Sequence, residues 1–393
     1  MVIALALFLS HEIGRRDLVS RSRRAAMRAL RPPPQPPERP TETVRGSPAY
    51  AEVNRLVNRE LLRRYREAPL WKPLLQATDS GTRAPVYRAL RDALIERFQP
   101  WPGPTLPLEP TAEPWFSRDG VQATLVRIQT HSDVRLTAAL LIPDSTTTGS
   151  PALIVLHGAD GDLHSVVTDQ DYHHGFAMDL ARRGFVVLAP LLVASTPLTA
   201  GTLLIKSTAV GWRADAIMLW QLVRGVDFLQ SLGQVDSGRI GVYGISLGGR
   251  LALQLGALDS RLSLVLASGA FADRFTWMFT DRLTPPTEHT ILDSLPVERA
   301  INTFHDMGPL LDIRNEAALI HPRFLGLATG TRDPRIASAR ALFEDVERLY
   351  GTTGDADRVS FLSFDGAHET SVESAMPFLL LWARAPVQAN PRE

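Results

Sequence analysis

The chain has 393 residues, 42 Lys+Arg against 42 Asp+Glu, and 45% hydrophobic residues. That length suits one large α/β domain with an extension, and the neutral balance lacks the basic footprint of a nucleic-acid binder. Cysteine is absent, which excludes disulfides, thiolate zinc sites, iron–sulfur clusters and a cysteine nucleophile.

Residues 2–9 are apolar but far too short to span a bilayer. They lack the basic start and small-residue cleavage site of a signal peptide, so a cytoplasmic protein is expected, with secretion the alternative if 1–9 belong to a signal peptide. The arginine-rich stretch 15–31 reads as a solvated helix face. Residues 32–40, Pro-Pro-Pro-Gln-Pro-Pro-Glu-Arg-Pro, form a stiff polyproline linker. The segment 1–46 is therefore expected to be weakly ordered. A helical lead-in follows over 47–114, with apolar helical spacing at 49–66 (Leu56, Leu61, Leu62) and 85–98 (Leu90, Leu94). It closes on a proline-rich connector over 100–114.

From residue 121 the pattern changes. Residues 121–129 and 134–142 read as a β-hairpin, with His131-Ser132-Asp133 at its turn. Predicted strands at 152–157, 185–189, 239–243, 262–268, 323–329 and 359–364 then alternate with helices near 173–183, 213–231, 246–257, 335–350 and 372–384. This alternation predicts an α/β domain over 115–388, with a mostly parallel eight-stranded sheet and helices on both faces.

Residues 244–248, Gly-Ile-Ser-Leu-Gly, match the G-x-S-x-G nucleophile elbow, and the match sits between a predicted strand and a predicted helix. A turn that sharp strains the serine backbone and needs small neighbours, which Gly244 and Gly248 supply. It presents Ser246 at a helix start, where free backbone N–H groups can face a developing oxyanion. A Ser-acid-His order completes such a site. Asp333 follows the strand 323–329, and His368 follows the strand 359–364 in Asp365-Gly366-Ala367-His368-Glu369. Both lie where an open parallel sheet forms its ligand crevice. Asp273, after the strand 262–268, is the rival acid. Asp365 and Glu369 sit too near His368 in sequence to orient its ring. His173 and His174, beside Asp169 and Asp171, read as a solvated helix start. No metal is expected at Asp160 and Asp162, which lack a third ligand at usable spacing.

Further segments carry a resemblance. Gln234-Val235-Asp236-Ser237-Gly238-Arg239-Ile240-Gly241 leads into the elbow, and Leu258-Asp259-Ser260-Arg261 follows it. Leu319-Ile320-His321-Pro322-Arg323-Phe324-Leu325 precedes the acid, and Leu156-His157-Gly158 ends the third strand. With these, 85–385 resembles the α/β-hydrolase superfamily, in its dienelactone hydrolase and acetyl xylan esterase-like group. The resemblance implies a serine esterase with Ser246, Asp333 and His368 as triad, the nucleophile following the fifth strand. It implies an oxyanion hole from the backbone N–H groups of Ala159 and Leu247, with His157 bracing the loop. It requires no cofactor and takes a small-molecule ester as partner. A prolyl-oligopeptidase-like peptidase or a non-catalytic binding protein on the same fold are the alternatives. Many relatives carry an aspartate after the "AP" that ends the fourth strand; here Ala189-Pro190 is followed by Leu191-Leu192. The loop 191–212 is thus apolar, and Phe271, Phe275, Trp277, Met278 and Phe279 crowd the segment after the sixth strand. An acyl or aromatic pocket touching Trp212 and Trp277 is expected, with 271–320 as a cap over the site.

Overall fold

Apolar alternation builds the sheet. In β4 (Ser150–Leu156), Ala152, Ile154 and Leu156 pack into one core while Leu153 and Val155 pack into another, as the two-residue period of a strand buried on both faces requires. The structure, a computed structural model, describes residues 48–98, 105–168, 171–280, 287, 290–292 and 312–386. The segment 1–46 and most of the expected cap lie outside these residues. The molecule divides within helix α1 (Pro48–Glu67), into Met1–Asn54 and Arg55–Glu393. The second unit carries the architecture below.

After α1 come α2 (Ser80–Phe98), β1 (Thr111–Arg118), β2 (Val121–His131), β3 (Val134–Pro143) and β4. Next are α3 (Phe176–Arg182), β5 (Val186–Pro190), α4 (Pro197–Ala209), α5 (Ala214–Ser231), β6 (Val235–Ile245), α6 (Leu247–Leu258), β7 (Leu262–Ser268) and α7 (Arg274–Phe279). The chain continues through α8 (Arg314–Ile320), β8 (Phe324–Gly330), α9 (Ile336–Gly351), β9 (Val359–Phe364) and α10 (Val372–Arg384). The sheet has nine strands in the order β1-β2-β3-β5-β4-β6-β7-β8-β9. The hairpin strands and β1 pair antiparallel, and β5 through β9 join β4 in a parallel array.

Two differences from the sequence reading have physical causes. The ninth strand is β1, an edge strand that buries no residue fully and carries Pro114 where its register shifts. It shows no alternation, and proline is tolerated on such an edge. The supposed loop 191–212 contains α4. Its start is a capping box in which Thr196 and Thr199 exchange side-chain and backbone hydrogen bonds, with proline in the first turn.

One face of the sheet is covered by α5, α6, α8 and α9, the other by α3 and α10. Trp71, Leu74, Leu90, Leu94 and Phe98 of the lead-in join the first core. Within that layer lies a buried charged group. Arg97 of α2 meets Asp215 of α5 at 3.2 Å, and Arg274 of α7 meets Glu316 of α8 at 2.9 Å. Arg250 of α6 is half-buried beside them, and desolvation pulls its guanidinium down to about 10.

Candidate active site

The β6–α6 turn is held by close packing. Ser246 adopts φ 55° and ψ −112°, a strained conformation for a residue with a side chain. A Cβ on Gly244 would stand 2.2 Å from Gly248 O, and one on Gly248 would stand 2.2 Å from Leu156 O. Neither glycine position has room for any other residue. Ser246 N donates to Ser268 O at 2.9 Å, and Arg250 N donates to Ser246 O at 2.9 Å. These bonds fix the turn between the end of β7 and the first turn of α6.

Asp333 and His368 come from the two neighbouring strand ends. His368 Nδ1 lies 2.6 Å from Asp333 Oδ2. The two loops are laced together: Arg332 N donates to Gly366 O at 2.8 Å, and a Cβ on Gly330 would stand 2.2 Å from Ala367 O. The pair is tied to the serine through Gly269, the residue after Ser268, whose α-carbon faces the His368 ring: a Cβ there would stand 2.7 Å from Nδ1. No hydrogen bond joins Ser246 Oγ to His368 in this structure. Such bonds are often loose before substrate arrives.

Asp333 is 1% exposed. Burial alone would raise its carboxyl; the His368 hydrogen bond, the Arg335 N–H (2.9 Å to Oδ1) and the Arg335 charge outweigh it and hold the group below the usual carboxylate range. Arg335, which sequence reasoning passed over, places Nη1 3.3 Å from Asp333 Oδ1 and 2.9 Å from His368 Nδ1. Its guanidinium lies over the Trp277 ring at 4.0 Å. The rival Asp273 is occupied elsewhere. It caps α7 through Thr276 N (3.0 Å) and accepts the Tyr65 hydroxyl.

The loop after β4 supplies free donors. Neither the Ala159 nor the Leu247 N–H makes a hydrogen bond among the described residues. His157 and His173 fix this loop from beneath. Leu192 N donates to His157 Nε2 at 3.0 Å, and Gly158 N donates to His173 Nε2 at 2.8 Å. Burial pulls His157 down to about 4 and pulls His173 down as well. His173 is 0% exposed, so the expected solvated helix start is corrected there: its Nδ1 meets Asp171 at 2.7 Å and it belongs to the site wall. His174 pairs with Glu369 at 2.7 Å. Tyr172, also unforeseen, donates to Ala159 O at 2.7 Å and lies stacked 6.1 Å from the His368 ring. No motif marks it; only the tertiary contact does.

Four of the apolar residues expected to line the crevice are buried inside the protein. Phe271 enters the main core, while Phe275, Met278 and Phe279 pack with Leu62, Ala68 and Ile291. Trp277 stacks on Arg335. Trp212 follows α4, is 39% exposed, and makes no hydrogen bond or ring contact with Ser246, Asp333 or His368 among the described residues.

Residues 216–287, which contain the elbow, match the family model for acetyl xylan esterase (AXE1). Solved structures agree in fold. A Bacteroides fragilis protein assigned as an acetyl xylan esterase superposes with TM-score 0.59 at 15% identity, over 72% of this chain and 76% of its own. The chain has the α/β-hydrolase fold, and the segment that carries its elbow resembles the acetyl xylan esterase family. A methylesterase gives TM-score 0.56 at 20% identity over 80% of this hydrolase and 68% of its own chain. A glucuronoyl esterase from Solibacter usitatus gives 0.52 at 15%, over 78% and 93%. No curated protein matches the hydrolase in sequence. With the family match the enzyme class is that of an esterase. Among the described residues, no helix is long and apolar enough to cross a membrane.

Proposed function

We propose that the esterase is a serine hydrolase working through Ser246, His368 and Asp333. The observation that carries this is the strained Ser246 at the β6–α6 turn, with the 2.6 Å Asp333–His368 pair at the adjoining strand ends. His368 takes the Ser246 proton as Oγ attacks the acyl carbonyl. The Ala159 and Leu247 N–H groups receive the oxyanion, His368 protonates the leaving alcohol, and water releases the acyl group by the reverse path. Asp333, kept ionised, holds the Nδ1–H tautomer of His368.

The substrate we infer is a small ester on a carbohydrate, an acetyl or methyl ester. The family model and the named activities of the three structural relatives support it. The burial of Phe271, Phe275, Met278 and Phe279 inside the protein supports it too, because it removes the apolar wall a long acyl chain would need. Two outcomes test the reading on p-nitrophenyl esters. Ser246→Ala should fold normally and lose on the order of 10⁴–10⁶ in kcat. The wild-type enzyme should prefer acetyl to butyryl. Retained turnover in the variant would end the serine mechanism; a rise of kcat/KM with chain length would end the small-acyl reading.

A further inference from the structure

Helix α2 turns one side to a concavity that the esterase site does not use. Arg83, Tyr87 and Arg91 fall four residues apart and Arg88 falls beside them, so they share that side. They line a cavity of about 420 Å³ whose far wall is Leu319, His321 and Pro322. This wall precedes β8, whereas Asp333 follows it, so the cavity and the proposed active site lie at opposite ends of the strand.

The cavity is built rather than incidental. Buried His321 meets the Tyr87 hydroxyl at Nδ1 (2.5 Å) and Thr353 Oγ1 at Nε2 (2.7 Å), which fixes both rings. Arg83 donates through Nη2 to Ala77 O and Thr352 O, and its buried Nε–H has no partner among the described residues. Arg88 and Arg91 are exposed and make no hydrogen bond or ion pair among the described residues. Among the described residues no acidic side chain lines the cavity; the carboxylate of Asp355 lies behind its wall, 3.8 Å from His321 Nε2. Other arginines of the chain meet carboxylates, as in Arg261 with Asp227 and Asp259 or Arg314 with Asp312 and Asp345. Three guanidinium groups without a counter-charge among the described residues attract an anion, and the planar fork of arginine matches a carboxylate or phosphate. The Tyr87 ring, Leu319 and Pro322 offer that anion an apolar surface.

We propose that this cavity binds a small organic anion, its carboxylate or phosphate head between Arg88 and Arg91 and its apolar body against Tyr87, Leu319 and Pro322. The inference does not depend on the esterase reading. Isothermal titration of the full chain with phenylacetate, phenyl phosphate and inorganic phosphate tests it. At least one phenyl compound should bind one-to-one and about tenfold tighter than inorganic phosphate, the gain expected from burying part of a ring. The two phenyl compounds together show which head is taken. In Arg88→Ser/Arg91→Ser that binding should weaken at least about tenfold, with turnover of p-nitrophenyl acetate and the circular dichroism spectrum unchanged. Unchanged binding in the double variant, inorganic phosphate as tight as the phenyl compounds, or no saturable binding of any of the three would overturn it.

Discussion

His157 and His173 hold the loop after β4, and each accepts a backbone N–H at Nε2. A proton on that nitrogen would break the bond. The folded His157 sits at about 4 against an ordinary value of 6.5. Between those limits the unfolded chain binds more protons than the folded one, so stability rises with pH across the window and is lost as pH falls from about 6.5 to 4. The contribution is on the order of 3 kcal/mol. Chemical denaturation of wild type and His157→Gln at pH 4.5, 5.5 and 6.5 should show a shallower pH slope in the variant. Equal slopes would mean that His157 is not the buried neutral group drawn here. Asp333 and Asp273 are separated by a second residue-scale test. Asp333→Asn should misplace the His368 tautomer and cost roughly 10³–10⁴ in kcat, while Asp273→Asn, which touches only a cap and Tyr65, should cost far less. A reversed order in steady-state kinetics would move the acid to the end of β7. The candidate site was legible where chemistry repeats in short motifs, as at Ser246 and His368. Arg335 and Tyr172 were not, because what distinguishes them is a neighbour far away in the chain.

At the scale of elements, the strands buried on both faces announce themselves as apolar runs, and β4 to β9 stand within a few residues of their predicted bounds. Elements whose identity rests on partners were missed. β1 exists because β2 pairs with it, and α7 because its Phe275 and Phe279 pack against Leu62. α4 did leave a local signal, the Thr196–Thr199 box, which apolar content alone hides. The apolar stretch 271–279 could be read as pocket or as core, since burial in protein and burial of substrate select the same residues. The ties between elements also include charge. Asp215 of α5 is 0% exposed against Arg97 of α2. Asp215→Ala would leave that guanidinium buried without its partner, at a cost of about 3–5 kcal/mol, whereas Arg97→Met/Asp215→Leu should recover most of it. Urea unfolding of the three proteins checks this; a single variant as stable as wild type would show that the pair contributes nothing net.

For the whole molecule, nine strands and the helices on both faces serve to bring three strand ends to one place. β6 delivers Ser246, β8 Asp333 and β9 His368, and the end of β4 brings the Leu156 and His157 carbonyls against Gly248 in the first turn of α6. The proposed mechanism needs these groups together, so the most direct test asks whether the assembled site activates one serine. Wild type, Ser246→Ala and His368→Ala would be treated with a fluorophosphonate, and the modified peptide identified by mass spectrometry. The account predicts stoichiometric modification of Ser246 in wild type, none in Ser246→Ala, and labelling slowed by at least about a hundredfold in His368→Ala, the scale of a lost general base. Modification of a different serine, or labelling of Ser246 at an unchanged rate without His368, would contradict it.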